Sequence, residues 1–203
     1  MKKLLKICWI RKDIKDYESI DFLWFNFIDI SKRKIKPEEA KKIITPNTVN
    51  RVWLFWIYNN EKWQNLDKIY LNEIIEIAKE TNMNSLQIYW NCDFSYLKKH
   101  WFFTIKPISY KEVNSIENDN SIDMYIIEAE KPGRWKPYDY EILKEVKLDK
   151  PYLVAGWIDE FNLTEVLKKV PNAAWVDIAS WVDNRKNVCK RKTKRIIKIM
   201  EKA

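Results

Sequence analysis

The sequence predicts an α/β fold of the (β/α)8 TIM-barrel class, a single domain over residues 1–203, and three observations carry that prediction. Eight short apolar runs of strand length recur along the chain, and most are separated by charged segments with helical spacing. The connections between them are short, as they are in a parallel sheet covered by helices. The length of 203 residues matches the small end of the barrel range, about 200 residues.

In chain order the runs are LLKICWI from Leu4, FLWFNF from Phe22, RVWLFWIY from Arg51 and SLQIYW from Ser85. They continue with FFTIKPI from Phe102, MYIIEA from Met124, PYLVAGW from Pro151 and AAWVDIAS from Ala173. Each is rich in the β-branched and aromatic residues that fit a pleated, buried strand. Between them, KPEEAKKI, LDKIYLNEIIEIAKE, YDYEILKEV, NLTEVLKKV and the closing KRKTKRIIKIM place apolar residues three and four apart among charges, the signature of amphipathic helices. An open doubly wound sheet is the competing architecture. Its GxGxxG fingerprint is missing from the first turn, CWIRKD, and eight evenly spaced units suit closure better.

The formal charge of +8 and pI near 9.2 allow an acidic partner. The basic residues are nonetheless interleaved with acids, and a phosphorylated small molecule fits that surface as well as nucleic acid does. Stacking platforms for single strands need aromatics exposed among Arg and Lys, whereas these tryptophans sit inside apolar runs. The one concentrated basic stretch, VCKRKTKRIIKIM, reads as a solvated helix face with Ile196, Ile197 and Ile199 turned to the barrel. Cys8, Cys92 and Cys189 form no CxxC pair, so neither zinc site nor disulfide framework is expected, and a reducing cytoplasm is the simplest setting. MKKLLKICWI lacks the long apolar stretch of a signal peptide, and no run reaches a membrane span of roughly 18 residues. A soluble protein, monomer or homodimer, with no nucleic-acid or membrane partner, is expected.

Only two glycines, Gly133 and Gly156, stand beside eleven tryptophans. Average usage of about 7 % would give roughly 14 glycines. Glycine is the residue for positive φ and for close approach of backbone to a ligand, so a turn-rich barrel with this composition has its turns overwritten.

In a barrel the chemistry sits at the C-terminal ends of the strands. The polar residues there are Cys8, Asn26, Arg33, Gln87, Lys106, Glu128, Asp177 and Ser180. Cys8 is either a proton-transfer base, if nearby positive charge lowers its pKa, or a small buried hydrophobe. Glu128 follows four apolar residues and is either a general acid or half of an ion pair. His100, the sole histidine, lies at a helix end, which excludes a His-dependent triad.

These residues resemble a known family nearly end to end. KICWI at Lys6 is similar to KICGI of the phosphoribosylanthranilate isomerases, SKRKIKPEEA at Ser31 to SKRxIxPExA, and LQIYW at Leu86 to VQLHG. AGWIDEFNLTEVL and WVDIASWVD resemble GGLNPENV and VDVSSGVE. The resemblance implies an Amadori rearrangement in tryptophan biosynthesis, carried out without metal or organic cofactor. It implies Cys8 as general base, Glu128 in place of the family's aspartate as general acid, and Arg33 as the clamp on the anthranilate carboxylate. Asp177 matches a polar active-site residue on strand eight. Other phosphate-binding barrels fit less well: the histidine-pathway isomerase has an aspartate in each half, and indole-glycerol-phosphate synthase has a lysine where this chain has Cys8.

The resemblance further implies phosphate binding between the loops after strands seven and eight, where Gly156, Trp157, Ser180 and Trp181 stand. There the family's GG and SSG become Gly-Trp and Ala-Ser-Trp. The same exchange recurs at Trp9, Trp24, Trp53, Trp90, Trp135 and Trp175. Ordinary divergence would scatter alanine, serine and asparagine into such positions. Strain of about 1–2 kcal/mol at each positive φ and overpacking of about 1–3 kcal/mol at buried sites together rival a whole domain's stability. The expectation is therefore an isomerase architecture with weakened folding or phosphate binding.

Overall fold

The computed structural model describes residues 4–8, 10–14, 19–27, 34–55, 68–89, 92–117, 119–129, 138–179, 181–182 and 188–202. Eight strands close into a barrel in sequence order: β1 Leu4–Cys8, β2 Phe22–Asn26, β3 Asn50–Phe55, β4 Ser85–Ile88, β5 Phe103–Ser109, β6 Met124–Glu128, β7 Tyr152–Val154 and β8 Trp175–Ile178. Every neighbouring pair is parallel, including β8 with β1. All eight expected runs contain a strand.

Because side chains alternate across a strand, each run divides between two cores. Cys8, Phe22, Trp24, Val52, Leu54, Ile105, Met124, Ile126, Leu153 and Ala155 fill the barrel interior. Leu5, Ile7, Leu23, Phe25, Leu86, Ile127, Val154, Val176 and Ile178 face outward into the larger layer between sheet and helices. Lys6, Gln87 and Asp177 share the inward parity and are buried, so the interior is apolar toward the middle and polar at selected points.

The helices are α1 Pro37–Lys42, α2 Lys68–Glu80, α3 Phe94–Lys99, α4 Leu163–Lys169 and α5 Lys190–Met200. In α1, Pro37 opens the helix, acids occupy the first turn and lysines the last, as the helix dipole favours. In α2, Leu71, Ile74, Ile75 and Ala78 form one buried stripe. Asp93 caps α3 by accepting from the Tyr96 amide at 3.1 Å. Thr193 and Ile196 of α5 are buried, and Ile197 and Ile199 pack half-buried beside them.

YDYEILKEV, expected to be an α-helix, instead forms a 3-10 turn over Tyr140–Leu143. Lys144 N–H donates to Glu141 O and Val146 N–H to Leu143 O, both three residues back. Tyr140, Leu143 and Val146 are consequently all buried, the three-residue period of a 3-10 helix. Beneath β3 the buried Arg51 guanidinium donates to Ala40 O at 2.7 Å, Ile43 O at 3.0 Å and Thr81 O at 3.3 Å, and lies over the Phe25 ring. It binds the ends of α1 and α2 to the sheet. No described helix is long and apolar enough to cross a membrane.

Candidate active site

Strand register builds the centre of the site. Lys6 on β1 lies directly beside Asp177 on β8, and Cys8 follows two residues later on the same inward face. Lys6 Nζ is 2.7 Å from Asp177 Oδ2 and 3.4 Å from Cys8 Sγ, while Cys8 Sγ donates to Asp177 Oδ1 at 3.0 Å. Ammonium, thiol and carboxylate thus form a closed triangle, with Lys6 and Cys8 fully buried and Asp177 7 % exposed.

Burial alone would lower the Lys6 pKa, and Asp177 and Cys8 together more than reverse it, so its pKa is raised and the ammonium persists. Burial pushes the Cys8 thiol well up, Asp177 adds to that, and Lys6 opposes both. The resting sulfur is therefore a thiol that donates to the carboxylate. Moving its proton to Asp177 would leave ammonium, thiolate and carboxylic acid, with the same net charge as before. The exchange creates no lone buried charge, but it runs uphill, because burial and Asp177 both hold the proton on sulfur.

The second centre lies at the C-terminal end of β6. Tyr89, immediately after β4, donates to Glu128 Oε1 at 2.7 Å, and Gln87 Nε2 reaches the Tyr89 hydroxyl at 3.4 Å. Burial drives the Glu128 pKa up to about 7; the Tyr89 hydrogen bond and Lys6 oppose that shift, and Asp177 reinforces it. Glu128 also senses Asp177 and Lys6, so the two centres lie near one another, with Cys8 and Glu128 at the C-terminal ends of β1 and β6. A carboxyl poised near neutrality can donate a proton at ordinary pH.

Of the expected residues, Cys8, Asp177 and Glu128 converge here. Asn26 is buried at the end of β2, and Lys106 sits half-exposed over the Phe94 ring, 6.0 Å away. Arg33 and Ser180 lie outside the described residues, as do Trp9, Trp90 and Trp135. Lys6 and Tyr89 were missed. Lys6 carried a signal, being a lone lysine inside an apolar strand, two residues before Cys8 and hence on its face. Tyr89 carried the same parity with Gln87.

The β7 loop turns at Gly156, φ +105, and Trp157, φ +33. The Tyr140 hydroxyl donates to Gly156 O, and Asn162 Nδ2 donates to Trp157 O at 2.7 Å. The Trp157 indole is half-exposed. Trp181 packs edge-on to Phe161 and beneath the Lys192 ammonium, 4.2 Å from its ring centroid. Not every exchanged position is strained: among the described tryptophans only Trp101 and Trp157 have positive φ. Trp24 and Trp53 lie in ordinary strand backbone and are accommodated as core residues, Trp24 against Lys6 and Trp53 edge-on to Phe27.

Fold and site together define a barrel enzyme with acid–base groups at the carboxyl ends of its strands. The profile of the N-(5'-phosphoribosyl)anthranilate isomerase family matches residues 11–202. The isomerase of Clostridium kluyveri is 26 % identical over 194 residues, covering 89 % of each chain. The solved isomerase of Pyrococcus furiosus superimposes with a TM-score of 0.74 at 18 % identity, covering 99 % of this chain and 100 % of that one. A phosphoribosyl anthranilate isomerase in complex with reduced 1-(o-carboxyphenylamino)-1-deoxyribulose 5-phosphate superimposes at 0.71 and 18 %, over 99 % and 100 %. The chain belongs to the N-(5'-phosphoribosyl)anthranilate isomerase family.

Proposed function

We propose that this chain converts N-(5-phosphoribosyl)anthranilate into 1-(2-carboxyphenylamino)-1-deoxyribulose 5-phosphate, with Cys8 as base and Glu128 as acid. The observation that carries the reading is the pair of proton-handling centres at one barrel mouth, one built on Cys8 and one on Glu128. Protonated Glu128 gives its proton to the ribose ring oxygen, and the C1–O bond breaks to leave a Schiff base. Asp177 takes the thiol proton of Cys8 while Lys6 neutralises the thiolate. The thiolate then removes the proton from C2, and the electron pair moves into an enolamine that tautomerises to the ketose. Tyr89 orients the Glu128 carboxyl and holds its pKa below the value burial alone would set.

Arg33 binds the anthranilate carboxylate through a planar, bidentate guanidinium. The phosphate lies between the loops after β7 and β8, at Gly156, Trp157, Ser180 and Trp181. An isomerase assay on Cys8→Ser and Glu128→Gln tests the assignment. Each loses about 100-fold to 10,000-fold in kcat, the usual worth of a positioned acid or base. Full activity in a folded Cys8→Ser protein would overturn the role of the thiol.

A further inference from the structure

Among the described residues, two helices end in the left-handed conformation, and they end alike but for one residue. In α2, the amide of Asn82 (φ +55) donates to Lys79 O and that of Met83 to Ala78 O. In α3, the amide of Trp101 (φ +68) donates to Lys98 O at 2.9 Å and that of Phe102 to Leu97 O at 3.4 Å. Both are complete Schellman motifs, whose left-handed position is filled by glycine or, as at Asn82, asparagine. A tryptophan there carries the Cβ penalty in full. It also recovers nothing by packing, because Trp101 is 93 % exposed.

Trp157 repeats the pattern. It follows Gly156 in a second consecutive positive-φ position, and the residue is 52 % exposed. Trp181 stands where the family resemblance places glycine, and its buried indole N–H has no hydrogen-bond partner among the described residues, a desolvation cost that glycine would not incur. Trp101 and Trp157 favour glycine through their backbone, and Trp181 through its buried indole N–H.

Side-chain physics cannot produce such an exchange, since it replaces the smallest residue with the largest. The genetic code can. UGA differs by one base from the glycine codon GGA and by one from the tryptophan codon UGG, and its reading varies between genetic codes. The two glycines and eleven tryptophans together come close to the roughly 14 glycines average for this length.

We infer that positions 101, 157 and 181 are glycine in the polypeptide made by the gene's own cell, which spells them UGA and reads UGA as glycine. The inference is independent of the catalytic assignment. Its test reads the gene's codons at the three positions and weighs the corresponding peptides of the protein isolated from its own cells. UGA is expected at each, with every peptide lighter by the exchange of an indolylmethyl group for hydrogen. UGG codons would overturn the inference, and so would UGA codons with indole-bearing peptides.

Discussion

At the scale of single residues, the site depends on two compensated carboxyl groups. The Tyr89 hydrogen bond stabilises the ionised form of Glu128, so Tyr89→Phe raises the Glu128 pKa above about 7. As the proposed general acid, Glu128 must be protonated, so kcat/KM is expected to fall as pH rises through that value. The variant's alkaline limb therefore moves to higher pH, which a pH–rate profile reads directly. The same shift has a stability sign. Glu128 binds its proton more tightly folded than unfolded, so its contribution is fully present below about 4.5 and is lost as pH rises toward about 7. Lys6→Met strands the Asp177 carboxylate in the barrel, and a loss of about 3–5 kcal/mol is expected in denaturant unfolding. Lys6→Met combined with Asp177→Leu recovers most of it, since no lone charge remains. Cys8, Asp177 and Glu128 were legible as candidates from strand ends alone. Their pairing was less so, because the Lys6–Asp177 contact spans 171 positions and depends on closure of β8 onto β1.

At the scale of elements, alternation along each run fixed which side chains fill the barrel and which face the helices. Lys6 and Cys8 fall inside by the same rule that puts Leu5 and Ile7 outside. Helix type was harder to read. The segment around Tyr140 has residues that satisfy both a three-residue and a 3.6-residue period, and only the tertiary burial of Tyr140, Leu143 and Val146 decides between them. Helix ends offer a sharper test of the strained tryptophans. Trp101→Gly is expected to raise stability by about 1 kcal/mol, and Asn82→Gly at the equivalent position of α2 to change it by much less. Urea unfolding midpoints compare the two. A Trp101→Gly protein no more stable than its parent would mean that the left-handed turn carries no strain.

At the scale of the whole molecule, the number of strands, their order and closure follow from eight runs and the helical spacing between them. The net charge of +8 comes from basic residues interleaved with acids along most of the chain. The backbone of the loop after β7 was not legible, because sequence alone does not show which tryptophans occupy positive φ. The structure separates Trp157 from Trp24 and Trp53 on that ground. The most direct measurement compares the chain as written with its Trp157→Gly, Trp181→Gly variant, following loss of anthranilate fluorescence from freshly made phosphoribosylanthranilate. A lower KM is expected in the variant, with kcat lowered about 100-fold to 10,000-fold in both by Cys8→Ser. A folded variant with no turnover, or a kcat unchanged by Cys8→Ser, would contradict the proposed isomerase.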